Sequence, residues 1–305
     1  MDQRNEVTIV GAGPAGIAAA IYLHRTGLHP ILLEKNEPGG LLRHAHHVEN
    51  YPGFPCGISG WTLAKQCVKQ LQTVGVSIIK SAVHHVHHTD DTFHIETDAG
   101  HFVSSVIIIA TGTTPRTLEI PGSPSMKGTR LFYEPRSIPL KKNRAKKRIL
   151  VIGGGDIAFD YTLTLLNWGH KVTIISRSKP TCVPLLQDRV IKNGATIHTM
   201  CVPEEIVTHR KDSALRCRCN EQLEELSFDF IVVACGRAPN TSFLSPTLKK
   251  CFDTAVDIPK TSLPGLYFAG DVIRGTYRQV GIAVGDGIQA AMMTEQYLRK
   301  RPVKP

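Results

Sequence analysis

Apolar residues in this chain fall into short runs, and two of those runs open in the same way. VTIVGAGPAGIAAAIYL (7–23) and ILVIGGGDIAFDYTLTLL (149–166) each begin with a strand-length apolar run, pass through glycine, and resume with apolar positions at helical spacing. The pattern predicts strand, turn and helix in both places. Each turn fits G-x-G-x-x-[GA]: Gly11, Gly13 and Gly16 with Pro14 and Ala15 between them, and Gly153, Gly155 and Ala158 with Asp156 and Ile157 between them. One such motif is weak; two in the same context make a repeat at domain scale.

Both units also close alike. VIIIATGTTPR (106–116) and FIVVACGRAPN (230–240) are buried-strand runs followed by a glycine turn and a proline. The last piece, GLYFAGDVIRGTYRQVGIAVGDGIQAAMMTEQYL (265–298), reads as a strand, Gly270–Asp271, a loop and a long helix. It has no third unit to serve and is predicted to complete the first. The expected fold is α/β, with two Rossmann-like (three-layer ββα) dinucleotide-binding domains. Residues 1–115 and 239–305 would form one, and 118–236 would be inserted in it.

The motif carries specific chemistry. Its first glycine permits the tight turn, its second lets backbone approach a pyrophosphate, and its third position needs a small residue where helix meets strand. The pyrophosphate then sits at the positive end of the helix. Glu34 ends the strand PILLE, where a carboxylate accepts hydrogen bonds from an adenosine ribose. The matching place after KVTIIS holds Ser176, Arg177 and Ser178. A guanidinium instead of a carboxylate favours a 2′-phosphate, hence NADP over NAD.

Composition narrows the setting. The 305 residues suffice for two domains, and the 42% apolar and 20% charged content is that of a globular protein. No apolar run approaches the roughly 18 residues of a membrane span, and the N-terminus enters a strand-like run too soon for a signal peptide. Eight cysteines are scattered without any CxxC, so neither a disulfide framework nor a zinc site is expected, and a reducing, cytoplasmic compartment is. The net charge of +10 concentrates in KKNRAKKR (141–148). That run reads as a solvated loop, with an acidic protein partner as the alternative; no aromatic-interleaved basic element points to nucleic acid. HHVHH (84–88) places histidines at i and i+2, which on a strand can share a metal, yet no carboxylate or cysteine in the run completes a site. The default is an exposed strand edge or loop and no metal. HAHH (44–47) precedes Val48-Glu49-Asn50, which raises His46 or His47 as a proton donor against a default of packing or surface. Cys217 and Cys219 are expected to face one way on a strand, Cys235 to be buried, and Cys56 to be the thiol better placed to react.

Taken together, GAGPAG, PGGLL (38–42), VENYPGFP (48–55), IIIATG, GGGDIA, ACGRAPN, FAGD and YRQV resemble, in order and over nearly the whole chain, the low-molecular-weight thioredoxin reductases and their relatives. The resemblance implies FAD in the first domain and NADPH in the second. Gly11, Gly13, Pro14, Ala15, Gly16, Glu34 and Lys35 would hold the ADP half of FAD. Gly39, Gly40, Leu41 and Asn50 would follow its ribityl and flavin half, with Thr111 and Gly112 closing the domain beside it. Gly270 and Asp271 would face the pyrophosphate–ribityl region, and Arg278, Gln279 and Val280 would start a helix aimed at the flavin. Gly153, Gly155, Asp156, Ile157, Ser176, Arg177 and Ser178 would hold NADP. Leu41 departs from the glutamine often found there. Relatives are commonly homodimers.

The larger departure is an absence. The place of the family's redox Cys-x-x-Cys falls on Arg136 to Pro139, and no cysteine occurs between Cys67 and Cys182. Without a thiolate to relay electrons, reduction of thioredoxin is not expected. The sequence predicts an NAD(P)H-dependent flavin oxidoreductase with no assigned catalytic residue, exchanging electrons directly with an external acceptor. Ferredoxin/flavodoxin–NADP reductases are cysteine-free relatives, and the positive charge suits an acidic ferredoxin or flavodoxin; a small molecule is the other candidate. A non-turnover flavin-binding redox sensor is the alternative class, against which the second nucleotide signature argues.

Overall fold

The computed structural model describes residues 3–140, 145–208, 212–253 and 259–300. Residues 141–144, half of the basic run, lie outside these. The chain divides into two compact units, one of residues 1–43, 49–114 and 239–305, the other of residues 44–48 and 115–238.

In the first unit, β1 (Gln3–Val10) leads into α1 (Pro14–Arg25), followed by β2 (Ile31–Glu34), α2 (Gly60–Thr73), β3 (Ile78–Lys80), β4 (Val83–Thr89), β5 (Thr92–Thr97) and β6 (Gly100–Ile109). The short strand β7 (Thr113–Pro115) follows. Strands β1, β2 and β3 run parallel beside β6, whereas β4, β5 and β6 form an antiparallel meander. The long β6 serves both arrangements. Its apolar run is buried on both faces, as a central parallel strand requires: Ile108 packs with Val7, Ile9 and Leu23, and Ile107 and Ile109 pack with Val10, Leu33, Phe93 and Phe102.

The second unit contributes α3 (Ser123–Met126), β8 (Leu131–Phe132), β9 (Arg148–Ile152), α4 (Asp156–Asn167), β10 (Lys171–Ile175), α5 (Pro184–Lys192) and β11 (Thr196–His198). An antiparallel trio follows, β12 (Cys201–Thr208), β13 (Ser213–Cys219) and β14 (Gln222–Phe228), then β15 (Phe230–Val233) and β16 (Arg237–Pro239). The parallel sheet β11-β10-β9-β15-β8 has two buried faces. Ile149 and Val151 meet α4 through Phe159 and Leu163, and Leu150 and Ile152 meet the trio through Leu215, Cys217 and Phe228. This gives the helix–sheet–sheet layering expected of such a unit. The chain then completes the first unit with α6 (Pro246–Asp253), β17 (Leu266–Phe268), parallel to β6, and α7 (Val280–Lys300).

Three expectations are corrected. Cys201 and Cys219, directly opposite in the β12–β13 register, are joined as a disulfide. Their pairing was hidden in the sequence because the hairpin register, not the spacing of LRCRC, brings them together. Cys217 shares the buried side of β13 with Cys219, as expected, and burial pushes its thiol up to about 12. Cys235 is exposed rather than buried, because it follows the end of β15 and precedes the left-handed Gly236. In the basic run, Lys147 and Arg148 are tied into the second unit by ion pairs to Asp229, with Arg148 also bidentate on Asp212.

Candidate dinucleotide sites

Sterics distribute the glycines of the first turn as their chemistry demands. A Cβ on Gly11, at φ +104°, would lie 2.5 Å from the Ala110 carbonyl oxygen, and one on Gly16 would lie 1.8 Å from that of Gly11. Both positions are closed by backbone. Gly13 is the opposite case, with nothing within 4 Å of its would-be Cβ. The turn therefore has two packed glycines and one bare, open one, the shape that admits a pyrophosphate against backbone. Glu34, at the end of β2, accepts from the Ala12 amide at 2.8 Å and from the Asn36 amide at 2.9 Å, which fixes its carboxylate beside the turn.

Other expected residues gather at the same strand ends. Gly39 donates to the Ala12 carbonyl at 2.7 Å, and a Cβ on Gly40 would come 3.1 Å from the Gly13 Cα. Leu41 follows in a single 3-10 turn, Gly40–His44, while Lys35 is exposed. Thr111 donates from Oγ1 to the Asn240 carbonyl at 2.7 Å, and Asn240 donates from its amide to the Gly112 carbonyl at 3.0 Å. Gly270 touches Ala15 in the same way, its would-be Cβ 2.9 Å from the alanine methyl, and Asp271 is half-buried in the turn Gly270–Val272. At the start of α7, Asn50 Nδ2 donates to Gln279 Oε1 at 2.8 Å, joining two residues expected near the flavin, with Arg278 and Val280 on either side.

What the sequence did not disclose is the brace beneath. Asp286 on α7 is 3% exposed. It accepts from the Gly270 amide at 3.1 Å, from Arg274 Nε at 2.8 Å and from Arg274 Nη2. Gly287 beside it lets α7 approach α1, since a Cβ there would meet the Ala15 carbonyl oxygen at 2.1 Å.

The second turn repeats the plan. A Cβ on Gly153 would lie 2.5 Å from the Ala234 carbonyl oxygen and one on Gly154 would lie 2.4 Å from Ser176 Oγ, whereas Gly155 meets only Thr181 Oγ1 at 3.9 Å. Ala158 fills the third position and is fully buried. Asp156 accepts from the Val183 amide at 2.9 Å, bracing the following loop, and Ile157 is half-buried behind it. Ser176 is buried and forms the floor of the turn beneath Gly154. Arg177 and Ser178 beside it are exposed, and among the described residues Arg177 makes no ion pair. A nucleotide seated on Gly155 would find a guanidinium where a ribose carboxylate is usual.

Two polar features of the second unit were also missed. Glu134 pairs with Arg237 at 3.4 Å although 103 residues apart, and the arginine side chain is 8% exposed. The following turn, Pro135–Ser137, is held again where Arg136 stacks over Trp168 at 5.8 Å. The stretch Glu134–Ser137 is thus an anchored structural turn. On α4, Asp160 accepts from the His46 amide at 2.8 Å, and burial pushes its carboxyl up to about 6 despite that bond. His46 itself is shifted down by burial, which disfavours the charged form that a proton donor needs.

Asp160 gives a pH prediction. Its folded-state pKa of about 6 lies above the usual value of 3.8, so the folded protein binds the proton more tightly than the unfolded chain. Its contribution to stability therefore falls as pH rises between those values. Asp160→Asn is expected to match the wild type near pH 4 and to gain up to about 3 kcal/mol at pH 7, read from urea unfolding at both pH values.

Two units, each a layered sheet with an open glycine turn at a helix N-terminus, make this a protein with two Rossmann-like domains. Comparison with known proteins is consistent with this class. The chain belongs to the pyridine nucleotide-disulphide oxidoreductase family, whose model matches residues 5–287. It is 33% identical over 316 residues to a thioredoxin reductase of Rickettsia felis, covering 97% of this chain and 98% of that one. Among solved structures it is similar to Lactococcus lactis thioredoxin reductase, with a TM-score of 0.88 and 31% identity over 97% of this chain and all of that one. The T. acidophilum thioredoxin reductase is likewise similar, with a TM-score of 0.84 and 30% identity over 98% and 99% of the two chains.

Proposed function

We propose that this protein is an NADPH-dependent FAD oxidoreductase that passes electrons to an external acceptor without an internal dithiol. The observation that carries the reading is the pair of open turns at Gly13 and Gly155, of which only the second has an arginine, Arg177, at the ribose position. With both cofactors bound, they would supply hydride transfer between nicotinamide and flavin. The chain's own part is to bind and orient. Gly13 and the N-terminus of α1 receive one pyrophosphate, and Glu34, already fixed by two amides, has lone pairs left for ribose hydroxyls. Asn50 and Gln279 form a polar pair at the start of α7, whose positive end favours the negative charge of a reduced flavin. Gly155 and Arg177 receive the second dinucleotide and select its 2′-phosphate.

The acceptor must then come from outside, because the turn Glu134–Ser137 carries no sulfur. The net charge of +10 supports an acidic protein carrier such as a ferredoxin or flavodoxin, steered by long-range attraction. Nucleotide choice tests the reading. With an artificial acceptor, kcat/KM is expected to favour NADPH over NADH, and Arg177→Ala is expected to lower it about 10- to 100-fold for NADPH alone. A preference for NADH, or an equal loss with both nucleotides, would overturn the assignment of Arg177.

A further inference from the structure

The HHVHH run holds no carboxylate of its own, and the fold supplies one. Strand β4 is the edge strand of its sheet. Alternation sends Val86, Phe93, Ile95 and Phe102 of the meander into the core and leaves His85, His87, His94, Glu96 and His101 on the opposite face. The register sets His85 against Glu96, Glu96 against His101, and His87 against His94. The imidazoles form a continuous row, with ring centroids 5.5 Å apart for His85–His87, 4.9 Å for His87–His94 and 5.3 Å for His94–His101.

We propose that His85, His87 and Glu96 form a binding site for a divalent first-row transition ion such as Zn²⁺. Ligand atoms of these residues all lie within 4.8 Å of one another. His85 Nδ1 and Glu96 Oε1 are 3.5 Å apart. That is long for a hydrogen bond, whose usual length is about 2.9 Å. It matches the spacing of about 3.4 Å between two ligands bonded tetrahedrally at about 2.1 Å. His87 Nδ1 is buried and, among the described residues, has no hydrogen-bond partner. A buried imidazole nitrogen without a partner is an unusual arrangement that a metal bond would satisfy. Two imidazoles and one carboxylate are a borderline donor set, suited to Zn²⁺, Co²⁺, Ni²⁺ or Cu²⁺ rather than to Mg²⁺ or Ca²⁺. The side chains of His85 and Glu96 are 45% and 55% exposed, so an ion has access from solvent and water can complete its coordination. Bound ion would cross-link β4 to β5 at the sheet's edge.

The test uses tag-free, full-length protein with its flavin, titrated with Zn²⁺ against a chromophoric chelator, and with Co²⁺ to read coordination from its visible absorption. One Zn²⁺ is expected to bind with a dissociation constant on the order of micromolar, and Co²⁺ to show the intense bands of a four- or five-coordinate site. The double variant His85→Ala/His87→Ala is expected to weaken binding about 100-fold, and Glu96→Gln alone about tenfold, with unfolding midpoints measured in chelator unchanged. Glu96→Gln keeps the shape of the site and serves if the double variant folds poorly. Undetectable binding at 100-fold the expected dissociation constant, octahedral Co²⁺ spectra only, or affinity unaltered in Glu96→Gln would overturn the proposal.

Discussion

Gly13→Val is expected to yield a folded protein that purifies without its yellow cofactor. The space around a Cβ at Gly13 is clear for 4 Å, so an added side chain meets no backbone clash at its root. A pyrophosphate lying against that backbone is excluded, because the isopropyl group occupies its place. Far-UV circular dichroism and the unfolding midpoint of flavin-free protein should match those of flavin-free wild type, and the flavin absorbance should be lost. Gly16→Val makes the contrast. Its Cβ would fall 1.8 Å from the Gly11 carbonyl oxygen, so α1 must leave β1, and the variant is expected to fail to fold. If both variants keep flavin, the turn is not its site.

The second large effect is expected from Asp286→Ala. The aspartate is buried, and its removal leaves the Gly270 amide and the Arg274 guanidinium without their acceptor. Breaking a buried ion pair from one side costs about 3–5 kcal/mol. The loss should appear as a fall in urea midpoint and, because Gly270 packs on Ala15 of the first turn, as weaker flavin retention. Asp286→Asn keeps an acceptor for the amide and should lose less. Equal stability of Asp286→Ala and wild type would show that the brace carries no weight.

These two variants mark the division between what the sequence discloses and what it withholds. The glycine turns are legible because their constraint is local: the clash of a Cβ with backbone one turn away is written in a six-residue motif. The layered α/β fold follows, since each motif sits between an apolar run and a helical pattern. Asp286 has no such signal. It lies in an ordinary helix, and its partners at Arg274 and Gly270 become neighbours only when α7 packs on α1. Glu134 and Arg237 are hidden by a sequence separation of 103 residues. The Cys201–Cys219 link and the approach of Glu96 to His85 both depend on hairpin register, which short strands with bulges do not fix in advance. Ser176 is legible as a position just after β10, but only the packing shows that it floors the turn beneath Gly154.

The central claim is that electrons enter from NADPH, reach the flavin and leave without a thiol. Anaerobic addition of NADPH to the yellow protein, with its accessible cysteines alkylated beforehand, tests it most directly. The account predicts that absorbance near about 450 nm bleaches with one equivalent of NADPH and returns when a one-electron protein acceptor or ferricyanide is added. A flavin band unmoved by both NADPH and NADH, or turnover abolished by alkylation, would contradict it.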